Sequence, residues 1–222
     1  MATNPARATG SVDIVATHLA RVAGSGLTEH AYARALITAT SPTTSRDLAD
    51  AVHLLCAIHG KFPGLADIAS TAAASPVRDW LRATADAFER ERLFLVRLTS
   101  SVGPLPSTPG SAATESALVA QRRAIETLAR SERTGCALGA TTALVHDWRQ
   151  IRAILDKAAE RAGMDCPDST LPDDGALAEA IALGTEGAAS ERALAFGAEQ
   201  LQLQHRALFD LLEARAGARE DF

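Results

Sequence analysis

The chain has 222 residues, 47% hydrophobic, 22% charged and only 4% aromatic, with a formal net charge of -5. That is enough apolar material for one large core or two small ones, and scattered basic residues on an acidic chain exclude the basic stripe of a nucleic-acid binder. No apolar run reaches the ~20 residues that span a membrane, and the opening MATNPARATGSVDIVATHLA lacks the basic start and apolar run of a secretion signal, so a cytoplasmic protein with neither membrane nor nucleic acid as partner is expected.

Alanine and leucine dominate and β-branched runs are short, which favours helix throughout. Residues 1–10 read as frayed. Val12, Val15, Leu19 and Val22 then recur with helical period up to the break AGSG. Thr28 caps a short second helix to about Ala39, and TSPTTS interrupts the chain. Thr44 or Ser45 caps the next helix, which ends at His59 with Gly60 as its stop. KFPG is a turn, and a short helix follows over 65–73. Ser75-Pro76 starts a long helix to about Val102, with proline at the first helical position.

GPLPSTPGS, residues 103–111, carries three prolines and is a loop. The helical pattern from Ala112 to Ala162 is too long for one ordinary helix and predicts a break at SERTGC, 131–136. GMDCPDSTLPDDG, 163–175, is a second loop, and the last helical region spans Leu177 to about Ala216. The expected fold is all-α: an antiparallel bundle of four to five long helices over 45–217. Short helices and a linker over 1–44 pack on it, and 218–222 is a frayed tail.

The stretch AVHLLCAIHG holds Asp50 at its edge, then His53, Cys56 and His59, each three residues on. Steps of three drift by about 60°, so the four cover roughly half a helix circumference and cannot share one ion. Leu48, Val52 and Leu55 define the apolar face; His59 lies on it, Cys56 at its edge, and His53 and Asp50 point away. In the last helical turn, a histidine suits the exposed carbonyls and the helix dipole.

Longer helices carry polar groups inward. Glu91 falls in the stripe Leu81, Thr84, Phe88, Leu95, Leu98 and Val102; Gln121 and Glu132 join Leu118, Ile125 and Leu128; Glu191 lies close to, and His205 within, the stripe from Leu177 to Leu212. Buried carboxylates and imidazoles need each other, an arginine or a metal. Glu91, Glu132, Glu191 and His205, with His59 nearby, are therefore the candidate ligands for a divalent metal. The alternative pairs the glutamates with arginines such as Arg122, Arg133 or Arg192 or leaves them at bundle ends in contact with water, and pairs His205 with Gln121 or a glutamate. Ferritin-like di-metal bundles use Glu-x-x-His on two helices. The nearest match is Asp50-x-x-His53, so the likeness is architectural only.

In His146-Asp147-Trp148, the tryptophan aligns with Leu144, Ile151 and Leu155, which leaves His146 and Asp147 as an exposed surface pair. There is no Gly-x-Ser-x-Gly elbow, Cys-x-x-Cys, phosphate loop or dinucleotide fingerprint. Cys56, Cys136 and Cys166, an odd and sparse set, point to reduced thiols. Gly135 and Gly139, like Gly184 and Ala188, sit four apart and predict close helix approach. A thinly packed, alanine-rich bundle favours a homodimer or a protein partner.

The first expectation is a non-catalytic binding or interaction protein with no catalytic residue and no cofactor. The second is a metal- or small-ligand-binding bundle, oxidoreductase-like, using the inward Glu and His residues. The segments GPLPSTPGS and SERTGCALGATTALVHDWRQIR resemble an uncharacterised bacterial helical family with no assigned activity, over the chain from about Asp47 onward. The resemblance implies a bacterial, soluble, all-helical protein and carries no functional residue across.

Overall fold

A computed structural model describes the backbone of residues 5–75 and 77–220, and the side chains of the same span from Ile14 onward. Pro76, expected to start a helix, lies outside the described residues, as do residues 1–4 and the side chain of Val12. Every regular element among the described residues is helical. In chain order they are α1 (Pro5–Ser25), a 3-10 turn (Leu27–Glu29), α2 (Ala31–Thr38), α3 (Thr44–His59), α4 (Leu65–Ala72), α5 (Val77–Ser101), α6 (Ser111–Ala129), α7 (Cys136–Ala162), α8 (Asp174–Gly184) and α9 (Ala188–Glu220). None of the described helices is long and apolar enough to cross a membrane.

The all-α expectation holds. The break at SERTGC falls between α6 and α7, where Gly135 takes a left-handed φ of +98° that glycine adopts without a Cβ clash. Several boundaries differ. α1 begins at Pro5 rather than Ser11 and runs through Ser25, Thr28 lies in the 3-10 turn while His30 caps α2, the last helical region is two helices parted at 185–187, and α9 continues to Glu220 into the expected frayed tail.

α7 is the hub of the fold. It touches every other helix, and its pairing with α9 is the most extensive in the molecule. Residues on all its sides are buried, among them Val145, Asp147, Trp148, Ile151, Arg152 and Ile154. The α7–α9 crossing is tight because glycine stands on both sides of it. A Cβ on Gly139 would overlap the Leu194 carbonyl group, and one on Gly197 would overlap that of Cys136. Gly184 likewise faces the Leu138 side chain. The small residues thus serve close packing within the bundle.

Asp50 corrects the single-face view of α3. Expected to point away from the core, it is fully buried, because α3 packs against α2, α5, α6, α7 and α9 together. Its carboxylate accepts from Arg215 Nη2 at 2.8 Å and Nε at 3.0 Å, and from Arg219 Nη1. Arg215 also donates to Thr114 Oγ1, and Arg219 to Thr108 Oγ1 and Asp47. The cluster ties α3 and α9 to the proline loop before α6. His53 donates its Nε2–H to the Gly103 carbonyl at 2.8 Å, fastening the start of that loop to α3.

Candidate functional site

The principal polar feature of the core is a hydrogen-bonded chain of three side chains from three helices. Asp147 of α7 accepts from His205 Nδ1 of α9 at 2.8 Å, and His205 Nε2 lies 3.2 Å from His59 Nε2 at the end of α3. Asp147 and His205 are each 1% exposed. The second oxygen of Asp147 accepts the backbone N–H of Leu27 at 3.1 Å. Gly26 permits that approach: a Cβ there would lie 2.8 Å from Asp147 Oδ1. The turn at Gly26, the first residue beyond α1, thus brings a backbone donor onto a buried carboxylate.

Burial works to raise the Asp147 pKa, but His146, His205 and the Leu27 N–H outweigh it and hold it down to about 2. Asp147 is therefore an ionised acceptor, which fixes the proton of His205 on Nδ1. Between the two Nε2 atoms of His205 and His59, one donates and the other accepts. Burial, with His205 beside it, pushes the His59 pKa well below that of a free imidazole, against a smaller opposing pull from Asp147.

His59 lines a narrow cleft of about 50 Å³, formed by the end of α3, the KFPG turn, α4, α5, α6 and α7. That volume holds a few waters or a small polar molecule. Ile58, Leu65, Phe88, Ile125, Leu144 and Trp148 supply its apolar wall. Its polar groups, besides His59, are Lys61, Arg92, Arg122, Asp67 and Glu126. The rings pack edge to face: His59 on Trp148 with centroids 5.3 Å apart, and Trp148 on Phe88 at 5.1 Å.

Trp148 links the cleft wall to a second buried cluster. Its Nε1–H donates to Glu91 Oε2 at 3.0 Å. Arg152 Nη1 donates to both Glu91 oxygens, at 3.0 and 3.1 Å, and Ser169 Oγ donates to Oε1 at 2.7 Å. The Arg152 guanidinium lies 4.6 Å from the Phe94 ring and also donates to Asp156 and to the Pro167 carbonyl. The loop between α7 and α8 is thereby strapped onto α5.

Of the five sequence candidates, the structure brings His59 and His205 together. Glu91 is buried and meets Trp148, Arg152 and Ser169, so its arginine is Arg152 and not Arg122, Arg133 or Arg192. Glu132 is exposed, not inward: α6 ends at Ala129, so its helical phase does not extend that far. Glu191 is half-buried in the first turn of α9, where a carboxylate favours the helix N-terminus. Among the described residues no group of three or more His, Cys, Asp or Glu side chains is arranged to hold a metal ion. His205 bonds to Asp147, not to Gln121 or a glutamate.

Asp147 is the main residue that sequence reasoning placed wrongly, as half of an exposed pair. The signal for it was present: Ala140, Ala143, Ile151 and Ile154 form a second apolar stripe on α7 that contains Asp147. Arg152 carried a signal too, falling in the stripe of Leu144, Trp148 and Leu155. Lys61 and Arg92 had none, because the turn and the packing of α4 on α5 bring them to the cleft.

The model of a family of unknown function matches residues 22–220. No curated protein and no solved structure matches the chain, so the architectural likeness to ferritin-like bundles gains no support.

Proposed function

We propose, for a chain that belongs to the family of unknown function DUF6975, that it is a small-ligand-binding helical bundle whose site is the cleft at His59. The observation that carries this is the chain Asp147–His205–His59, which runs through the core and ends on the cleft wall. Keeping an ionised carboxylate and two imidazoles inside a bundle is costly, and a hydrophobic trio of similar volume would pack as well. Their arrangement gives the cleft a neutral imidazole, anchored through His205 on Asp147, that can exchange a hydrogen bond with a bound polar molecule.

Association with a partner is the weaker of the two expectations. The exposed large apolar side chains, such as Phe62, Leu93, Leu105 and Leu183, are spread over different helices and loops, as single apolar residues are on most protein surfaces.

Thermal unfolding in the presence of butanol, butylamine, butyramide and butyrate tests the proposal. At least one of them is expected to raise the melting temperature of the wild-type protein, by roughly 5–10 °C at a concentration about 100 times its Kd. The same molecule should shift His59→Gln far less. No shift from any of the four would sink the small-ligand reading.

A further inference from the structure

The charges around the cleft identify the ligand's head group. Three cations, Lys61, Arg92 and Arg122, line it against two carboxylates, Asp67 and Glu126. Arg122 Nε lies 3.7 Å from Glu126 Oε1, and Arg92 Nη1 lies 3.6 Å from Asp67 Oδ2. Both separations are longer than a hydrogen bond. Arg92 is only 8% exposed, and beyond the cleft it pairs with Glu89. Lys61, on the exposed turn, has no ion-pair partner among the described residues. Arg92 and Arg122 thus each stand beside a carboxylate, and Lys61 is the lining cation left without one among the described residues.

Backbone donors point the same way. α4 begins at the cleft, and its N-cap is Gly64, which has no side chain to cap the first turn. The Asp67 carboxylate reaches back to the Gly64 N–H at 2.8 Å, while the N–H groups of Leu65 and Ala66 have no protein acceptor among the described residues. Open amides at a helix start, beside fixed cations and in a cavity with an apolar wall, are the surroundings in which an anion is held by charge-assisted hydrogen bonds. A single negative charge matches the one cation, Lys61, without a carboxylate beside it; a doubly charged group would also face Asp67 and Glu126. The small volume and the wall of Phe88, Ile125, Leu144 and Trp148 suit a short aliphatic body.

We infer that the cleft binds a short-chain aliphatic carboxylate, its head group held by Lys61, Arg122 and the first turn of α4 and its tail against the aromatic and aliphatic wall. This rests on the cleft being a ligand site, as proposed above, and adds the ligand's chemical class.

Calorimetric titration of the full-length protein with butyrate, butyramide and inorganic phosphate separates the two claims. Butyrate is expected to bind at one site per chain. Lys61→Gln and Arg122→Gln should each weaken it at least tenfold. Arg123→Gln removes the same charge from an exposed neighbour on the same helix and should leave it unchanged, with the fold of each variant checked by circular dichroism. Butyramide should bind at least tenfold more weakly than butyrate. Equal binding of the two would overturn the carboxylate inference and leave the small-ligand reading standing. Phosphate binding that depends on Lys61 and Arg122, without butyrate binding, would overturn the carboxylate in favour of a phosphoryl group. If no probe binds, the inference and the reading beneath it both fail.

Discussion

Replacing Asp50 with alanine is expected to lower stability by about 3–5 kcal/mol, the cost of breaking a buried ion pair by removing one partner. The carboxylate is fully buried, and it is the shared acceptor of Arg215 and Arg219, whose side chains are 5% and 4% exposed. Without it, two guanidinium groups remain under the proline loop with only Asp47, Thr108, Thr114 and a backbone carbonyl to meet them. Exchanging Asp50→Leu with Arg215→Met, which leaves one buried guanidinium, Arg219, still donating to Asp47, should cost less than Asp50→Ala, because the surviving buried charge is the larger part of the penalty. Urea denaturation measures both. A loss under about 1 kcal/mol for Asp50→Ala would mean that water reaches the cluster and that it behaves like a surface pair.

Gly139→Ala is expected to be nearly as harmful, although alanine is the better helix former. The added Cβ would sit 2.7 Å from the Leu194 carbonyl carbon and 2.9 Å from its Cα, and closer still to the carbonyl oxygen. These are backbone atoms of α9, so relief requires moving one long helix off another. We expect a loss of about 3 kcal/mol, at the upper end for overpacking, and a melting temperature lowered by roughly 6–12 °C. Gly217→Ala on α9 provides the contrast. Nothing lies within 4 Å of its Cβ position, and the change should stabilise by about 0.5–1 kcal/mol. Equal effects at the two sites would refute the account of the α7–α9 crossing.

The helices and most of their breaks were legible because they depend on local chemistry. Proline-rich GPLPSTPGS, the SERTGC interruption and the alanine-leucine background leave little else for those segments to be. The inward placement of Glu91 and His205 was legible too, since each sits in phase with leucines. Asp147 and Asp50 were not, for a shared reason. An amphipathic reading gives a helix one buried face, whereas α7 and α3 are enclosed by neighbours on several sides, so a polar residue opposite the leucine stripe is still inside. Glu132 failed in the other direction: phase carried past the end of α6 has no meaning. Which buried groups meet is a matter of tertiary pairing. His59 and His205 are 146 positions apart in the chain, and no spacing rule joins them. Lys61 and Arg122 reach the same cleft only because α4 lies against both α5 and α6.

The central claim is that a hydrogen-bonded chain from Asp147 ends at the cleft with a neutral His59, and nitrogen-15 NMR of the imidazole rings from about pH 8 down to about pH 5 tests it most directly. The predicted spectra show a proton on His205 Nδ1, held by Asp147, and a neutral His59 at the upper end. His59 should remain uncharged well below pH 6.5, the ordinary histidine value, and Asp147→Asn should disturb the His59 signals as well as those of His205. An imidazolium at His59 near pH 6.5, or His59 signals indifferent to Asp147→Asn, would contradict the account: the three side chains would then be neighbours in the core and not one chain reaching the cleft.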